Sequence, residues 1–363
     1  MCGTGSAAAV KRSAYVSLFF GDDPDIFLGL VSVGWSLRVT HQTPHDLVLM
    51  HTSDVPQRFL DILGSFWKLW RVDDLAFDHL VTKGSDKSLK RLFLKLRLFE
   101  MILYAKVLFL DVDILIRKSL DDVFDLPAPA GVLYDGKEDL TKNAGMVLSA
   151  DDLIDPSTGY LIFRVNAGVL LIEPSKEEFR KICEMGASWG CDGDQASFCP
   201  EEELLTRYFA SQCSGLRSLH LEWNLEIYRS SHATRCEVEE ARIFHFSCKR
   251  LKPWWTTWTL MTPEAVLALP SDWAEQRFDD PHGLLVRATA EWAAAFLKCR
   301  ESLLGKDMDI DVVRIAWPEV SESYWSWVQD HAKEVVCSEC GEHPGIIMIN
   351  YEGRRCFKNC FVN

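Results

Sequence analysis

No apolar run in the chain approaches the roughly 20 residues that a bilayer-spanning helix requires, so a membrane span is not expected. The first residues, MCGTGSAAAVKRSAYVSLFF, lack a convincing apolar core of a secretory leader ahead of the first strand-like segment. No asparagine is followed two positions later by Ser or Thr, which leaves no N-glycosylation acceptor. Positive charge is also in deficit. Against 53 Asp and Glu there are 39 Lys and Arg, a formal charge of −14, which disfavours nucleic acid or an anionic membrane as the main partner. Internal repeats and low-complexity segments are missing too. Cysteine is not scarce, at 12 in 363 residues, but those before residue 300 are scattered singly, as small buried thiols commonly are. These features predict a cytoplasmic protein with reduced thiols. The 48% hydrophobic and 25% charged content is that of a globular chain, long enough for one large core and an appendage.

The most informative segment is Tyr104 to Ile114, YAKVLFLDVDI. Val107 to Leu110 read as a strand buried on both faces, typical of a parallel sheet covered by helices, and the crevice beyond the carboxyl end of such a strand is where ligands bind. Asp111 and Asp113 fall there. While strand geometry lasts, side chains at i and i+2 share a face, so the two carboxylates can approach one cation.

Upstream, Tyr15 to Phe20 reads as a strand ended by Gly21-Asp22-Asp23-Pro24. A helix through Phe27, Leu28, Val31 and Trp35 follows, then a strand at Leu47 to Met50, which together begin a βαβ pattern. Between Ser88 and Tyr104 the apolar residues keep helical spacing, with Lys90, Arg91, Lys95 and Arg97 off the stripe. Leu161 to Phe163 and Gly168 to Ile172 flank Asn166-Ala167-Gly168, and a helix is expected from Ser175 to Glu184. Ile243 to Phe246 is a further strand candidate. Beyond Pro253 the pattern turns to long helical stretches such as Leu284 to Leu304.

With these residues in order, the chain resembles glycosyltransferase family 8, the group of glycogenin and galactinol synthase, over roughly Ala14 to Trp255. The matching blocks are the AYVSL strand, Ser36-Leu37, Lys95-Leu96, Tyr104-x-Lys106-Val107 with Asp111-x-Asp113, and Asn166-Ala167-Gly168-Val169. They continue with Asp194-Gln195, Trp223-Asn224-Leu225, His245-Phe246 and Lys252-Pro253-Trp254. One block departs from the pattern. Cys248 stands where the family has Gly, and Lys252 falls seven residues after His245 rather than six.

The resemblance implies an α/β fold of the GT-A nucleotide-diphospho-sugar transferase type, with a mixed, mainly parallel sheet flanked by helices over residues 14–255. A helical extension at 256–334 and a cysteine-rich tail at 335–363 would follow. It further implies metal-dependent, retaining transfer of a hexosyl group from a UDP-sugar to a carbohydrate, a polyol or a protein tyrosine. Asp111, Asp113 and His245 would hold the metal; hard oxygen ligands suit Mg²⁺ or Mn²⁺, and the imidazole tilts the choice to Mn²⁺. Taken singly, Asp113 could cap a turn and His245 could be a core histidine. Lys252 would place positive charge on the β-phosphate as the bond breaks, and Lys95 would reach the donor phosphate or sugar. Asn166, Gly168, Asp194 and Gln195 would bind the donor sugar, with Gln195 near the reacting face. A glycoside hydrolase would need two carboxyl groups about 5–10 Å apart across the scissile bond, which the close spacing of Asp111 and Asp113 does not suit. A non-catalytic nucleotide-sugar-binding or scaffold protein, and a homodimer, stay open.

Two features lie beside this reading. Tyr228, between the Trp-Asn-Leu block and His245, falls where self-glucosylating members of the family carry their acceptor tyrosine, although aromatics in such segments are more often core. Cys337-x2-Cys340 and Cys356-x3-Cys360 bracket a strand-like IIMIN run. They resemble a zinc ribbon, a closed tetrahedron of four thiolates with His343 as an alternative ligand. So short a tail needs metal or disulfides to hold a core, and zinc is expected.

Overall fold

The structure, a computed structural model, describes residues 12–77, 89–134, 144–188, 200–212, 214–248, 251–254, 282–304, 347–349 and 355–357. Its centre is an eight-stranded sheet made of β1 (Ala14–Phe19), β2 (Asp46–His51), β3 (Lys68–Arg71), β4 (Val107–Leu110), β6 (Ala130–Tyr134), β7 (Val147–Leu148), β8 (Arg164–Ile172) and β9 (Leu216–Ser218). The order is β3-β2-β1-β4-β8-β6-β9-β7. Pairings β3/β2, β2/β1, β1/β4 and β6/β9 are parallel, and β4/β8, β8/β6 and β9/β7 are antiparallel. This is the mixed, mainly parallel sheet expected of the GT-A type. A second sheet, β10 (Leu225–Glu226), β11 (Ile243–His245) and β5 (Ile114–Ile116), stands at the carboxyl end of β4.

Alternation along the strands divides the core between the two faces of the large sheet. Tyr15, Phe19, Leu47, Leu49, Leu108, Leu110, Val169 and Leu171 pack on one side with α1 (Pro24–Trp35), α2 (Gln57–Leu63) and the Leu284–Leu304 helix. Their neighbours Val16, Leu18, Val48, Met50, Val107, Phe109, Leu170 and Ile172 face the other, against Phe93–Phe99, α5 (Lys176–Ser188) and α6 (Pro200–Ser211). At the start of α1, Pro24 sits in the first turn and the Asp23 carboxylate accepts the Asp25 N–H, both helix-start devices.

Several expectations meet a different local structure. The helix anticipated over Ser88 to Tyr104 is one α turn, Leu89–Leu92 (α3), followed by a 3₁₀ segment, Phe93–Glu100. Phe93, Leu94, Lys95, Leu96, Leu98 and Phe99 are all buried, so the segment is enclosed rather than lying on the surface by one stripe. Asn166-Ala167-Gly168 is the middle of β8, not a turn between two strands. Leu161 contributes only an isolated bridge to Ile154. Strands β3 and β6 and helix α6 were not anticipated from the sequence. In the tail, β12 (Ile347–Ile349) pairs antiparallel with β13 (Arg355–Phe357), placing Met348 opposite Cys356. Cys337, Cys340, His343 and Cys360 lie outside the described residues.

The Leu284–Leu304 helix is helical over the span expected and joins the first core face through Leu284, Leu285, Ala288 and Trp292. Arg117 fastens it by an ion pair to Glu291 at 2.9 Å, with its guanidinium 4.2 Å over the Phe244 ring. Trp292 is fully buried and meets Trp254 edge to face, centroids 6.4 Å apart. Removing so large a buried ring leaves a cavity, and Trp292→Ala is expected to cost about 3–5 kcal/mol. Urea denaturation checks this: a midpoint equal to the parent's would show that the helix contributes nothing to the core.

Candidate functional site

Strand β4 ends at Leu110, and the chain bends through Asp111, Val112 and Asp113 into β5. The bend, rather than a continued strand, brings the two carboxylates together. β11 runs antiparallel to β5 with His245 opposite Ile114, and Phe246 N–H donates to Asp113 O at 2.9 Å. That register delivers the imidazole. One donor atom each from Asp111, Asp113 and His245 lies within 4.8 Å of the others. His245 Nε2 is 3.4 Å from Asp113 Oδ1 and 4.0 Å from Asp111 Oδ2. Behind the bend, α1 passes so close that a side chain on Gly29 would overlap the Val112 carbonyl.

The hydrogen bonds behind His245 fix which nitrogen faces the carboxylates. Glu226 accepts from Asn166 Nδ2 at 3.0 Å, and a carboxylate has nothing to donate. Asn166 Oδ1 therefore accepts, from Asn224 Nδ2 at 3.0 Å and from Gly168 N–H at 2.9 Å. Asn224 Oδ1 in turn faces His245 Nδ1 at 2.9 Å, so Nδ1 donates. In the neutral ring the Nε2 lone pair then points at Asp111 and Asp113, as metal ligation demands. Two oxygen donors and one such nitrogen fit a divalent metal ion. Burial works to lower the His245 pKa, but the Asp113, Asp111 and Glu226 charges outweigh it and hold it above the ordinary value.

Lys252 reaches this centre despite its altered spacing. Its Nζ pairs with Asp113 Oδ2 and donates to Phe246 O at 2.7 Å. Burial would raise the Asp113 pKa, yet the Lys252 and His245 charges pull it well below the carboxylate range. Lys95, expected on a helix flank, is buried instead. Its Nζ lies 3.2 Å from Asp111 Oδ1, 3.4 Å from Ala167 O and 3.7 Å from Glu201 Oε1, 5.0 Å above the Phe109 ring. Desolvation opposes its charge, but Asp111, Glu201 and Glu202 prevail and raise its pKa.

Glu201 and Glu202, in the first turn of α6, were not singled out from the sequence, where the helix itself was not anticipated. Both are buried. Glu201 Oε2 has no hydrogen-bond partner. Glu202 accepts Ala167 N–H at 3.0 Å and the Tyr134 hydroxyl, and burial together with the neighbouring Glu201 charge pushes its pKa up to about 7. Asn224 and Glu226 were likewise given no role. The Asn166 carboxamide is committed to the network that orients His245. Gly168 allows the contact between β8 and the site: a Cβ there would lie 2.8 Å from Asp111 Oδ2 and overlap His245 Cε1. Asp194 and Gln195 lie outside the described residues. Tyr228 is partly buried, its oxygen accepting from Arg229 Nε at 2.6 Å, and burial raises its pKa to about 12.

The carboxylate–imidazole centre thus lies at the carboxyl edge of the mixed sheet with a lysine on its rim. Residues 63–257, more than half of the chain, match Glycosyl transferase family 8, and the chain belongs to that family. Among its relatives is inositol phosphorylceramide glucuronosyltransferase 1 of Arabidopsis thaliana, 25% identical over 281 residues, covering 70% of this chain and 45% of that protein. Galactinol synthase 6 of the same plant is 23% identical over 266 residues, covering 68% and 74%. The chain thus spans under half of the first and about three quarters of the second. Among solved structures, the galactosyltransferase LgtC in complex with donor and acceptor sugar analogues has a TM-score of 0.46 at 16% identity. That likeness covers 66% of this chain and 89% of LgtC.

The Asn224 carboxamide can be tested apart from the metal ligands. Asn224→Leu removes the acceptor that fixes His245 Nδ1–H, and divalent-metal affinity should fall roughly 10- to 100-fold, the usual effect of losing such an orienting partner. Calorimetric titration with Mn²⁺ reads this, and an affinity equal to the parent's would refute the orienting role.

Proposed function

We propose that the protein is a metal-dependent, retaining hexosyltransferase that takes its sugar from a UDP-sugar. The observation that carries this reading is the convergence of Asp111, Asp113 and His245, with Nδ1 engaged by Asn224 and Nε2 turned to the carboxylates, at the edge of a family 8 sheet. Asp111, Asp113 and His245 would hold Mn²⁺, or Mg²⁺ in its place. When bound, the ion supplies Lewis acidity to the diphosphate that departs with the nucleotide.

The chain's own groups do the rest. Lys252 Nζ lies on the rim of the same centre, where its positive charge can meet the β-phosphate as negative charge grows there. Lys95, neutralising Asp111 and Glu201 from below, keeps the carboxylate cluster compact and leaves the upper side to the donor. Gly168 leaves room for Asp111 and His245 against the β8 backbone, and Asn166 holds the strand and the imidazole in register; that the donor sugar meets this segment is proposed on the resemblance alone. Asp194 and Gln195 are proposed as further donor-sugar groups on the resemblance alone. Retention also rests on family membership. The acceptor would be a carbohydrate, a polyol or a protein hydroxyl, and the location cytoplasmic; among the described residues no helix is long and apolar enough to cross a membrane.

Turnover of a UDP-sugar panel, followed by UDP release, should require Mn²⁺ or a close substitute. Asp113→Asn should lower kcat by orders of magnitude, since metal polarisation supplies several kcal/mol of barrier reduction. Undiminished activity in excess chelator would overturn the metal dependence. Tyr228 is tested by intact mass after incubation with donor: a gain in mass that Tyr228→Phe abolishes supports self-glycosylation, and an unchanged mass beside normal UDP release assigns the acceptor to another molecule. For the tail we propose one structural Zn²⁺ on Cys337, Cys340, Cys356 and Cys360. Protein purified without added metal should then carry about one zinc that Cys337→Ser removes, whereas zinc-free protein with those thiols oxidised in pairs would reverse both this and the cytoplasmic assignment.

A further inference from the structure

Strand β8 is out of step with β6 next to the site. Gly131 faces Leu170 but Leu133 faces Val165, so Val132 alone on β6 stands against Asn166, Ala167, Gly168 and Val169 on β8. Such a bulge bends a strand and takes backbone groups out of the ladder on that edge. Buried backbone groups need partners, and here side chains supply them: Gly168 N–H donates to Asn166 Oδ1 at 2.9 Å, and Lys95 Nζ reaches Ala167 O at 3.4 Å. On the other edge of β8 the pairing with β4 runs on past Leu110, with Gly168 O accepting from Asp111 N–H at 2.7 Å.

The remaining contacts come from α6. Thr206 Oγ1 accepts Val165 N–H at 3.0 Å, and Glu202 Oε1 accepts Ala167 N–H at 3.0 Å. Glu202 and Thr206 stand one helical turn apart and Val165 and Ala167 two residues apart, so the helix face meets alternate N–H groups along one strand edge. The other Glu202 oxygen takes the Tyr134 hydroxyl from the end of β6. One carboxylate thus ties together the two strands that the bulge has put out of step.

We propose that Glu202 is a positioning residue for the metal centre: by accepting Ala167 N–H and the Tyr134 hydroxyl it holds the bent segment of β8 in the form that sets Asn166 and Gly168 against His245 and Asp111. The proposal rests on the metal-site reading above for its functional consequence, but not for its structural content. Glu202 touches none of the three metal ligands; it acts through the strand.

Glu202→Leu removes both acceptors, whereas Glu202→Gln keeps a carbonyl oxygen for Ala167 N–H and an amide that can donate to the Tyr134 oxygen. Two measurements on the full chain separate the readings. Amide hydrogen exchange of peptides spanning residues 164–170, without added metal, should show protection lost in Glu202→Leu and kept in Glu202→Gln, with protection of β1 and β2 unchanged in both. Mn²⁺ titration should then show affinity reduced roughly 10- to 100-fold in Glu202→Leu and within about threefold of the parent in Glu202→Gln. Should Glu202→Leu fail to fold, Tyr134→Phe, which leaves only the Ala167 acceptance, serves instead and should give a partial loss of protection in the same segment. Parent-like exchange in Glu202→Leu, or an equal loss in Glu202→Gln, would overturn the proposal. A parent that binds no Mn²⁺ while the exchange pattern holds would sink the metal reading and leave the positioning of β8 standing.

Discussion

At Gly168, β8 comes against the end of β4 so closely that no side chain fits, and the two backbones are joined there by the bond from Asp111 N–H to Gly168 O at 2.7 Å. This contact fixes where β4 stops and the acidic bend begins. It also sets the distance at which the His245 ring can stand across from the bend. A methyl group at 168 would push against Asp111, Asn166 and His245 together, so the three parts of the site share one tolerance. Small shifts do not distribute softly in such a close-packed place.

The same crowding explains the charge arrangement. Asp111, Asp113, Glu201, Glu202 and Glu226 gather around a single strand segment, and carboxylates at such separations repel by amounts on the order of several kcal/mol where solvent is scarce. Lys95 below and Lys252 on the rim each pair with one of the carboxylates of the acidic bend. Glu202 answers differently, drawing back toward protonation. Glu226 is met by Arg229 at 3.2 Å and by two hydrogen-bond donors, Asn166 and Ser247. The site is thus a balance of paired and partly neutralised acids.

How much of this was legible in the sequence follows from how local each signal was. Asp111 and Asp113 stood out because an apolar strand ran straight into them, and the family blocks added His245 and Lys252. The spacing before Lys252 nonetheless gave no sure guide to its position, because the intervening chain can follow more than one path; the position became clear only with Nζ on Asp113 and the Phe246 carbonyl. Lys95, assigned by the resemblance to the donor phosphate or sugar, fell off the apolar stripe, and its burial was not foreseen because periodicity counts turns and not the carboxylates that other elements bring. Glu201 and Glu202 went unremarked for the same reason: their burial is decided by β8 and the 3₁₀ segment, far away in the chain. Strand β6, short and placed after a proline-rich stretch, offered too few alternating residues to declare itself.

The edge-to-face meeting of Trp254 with Trp292 has an implication for how the molecule is made. Asp111, Asp113 and His245 have all left the ribosome once residue 245 is out, but the ring that backs the Lys252-Pro253-Trp254 segment belongs to a helix that begins at Leu284. Domains fold as units during synthesis, and since this helix shares the core of the large sheet, the segment bearing Lys252 emerges some thirty residues before the wall it rests on. Among the described residues, the lysine's support, unlike Asp111, Asp113, His245 and the lysine itself, comes from the last part of this core to be synthesised.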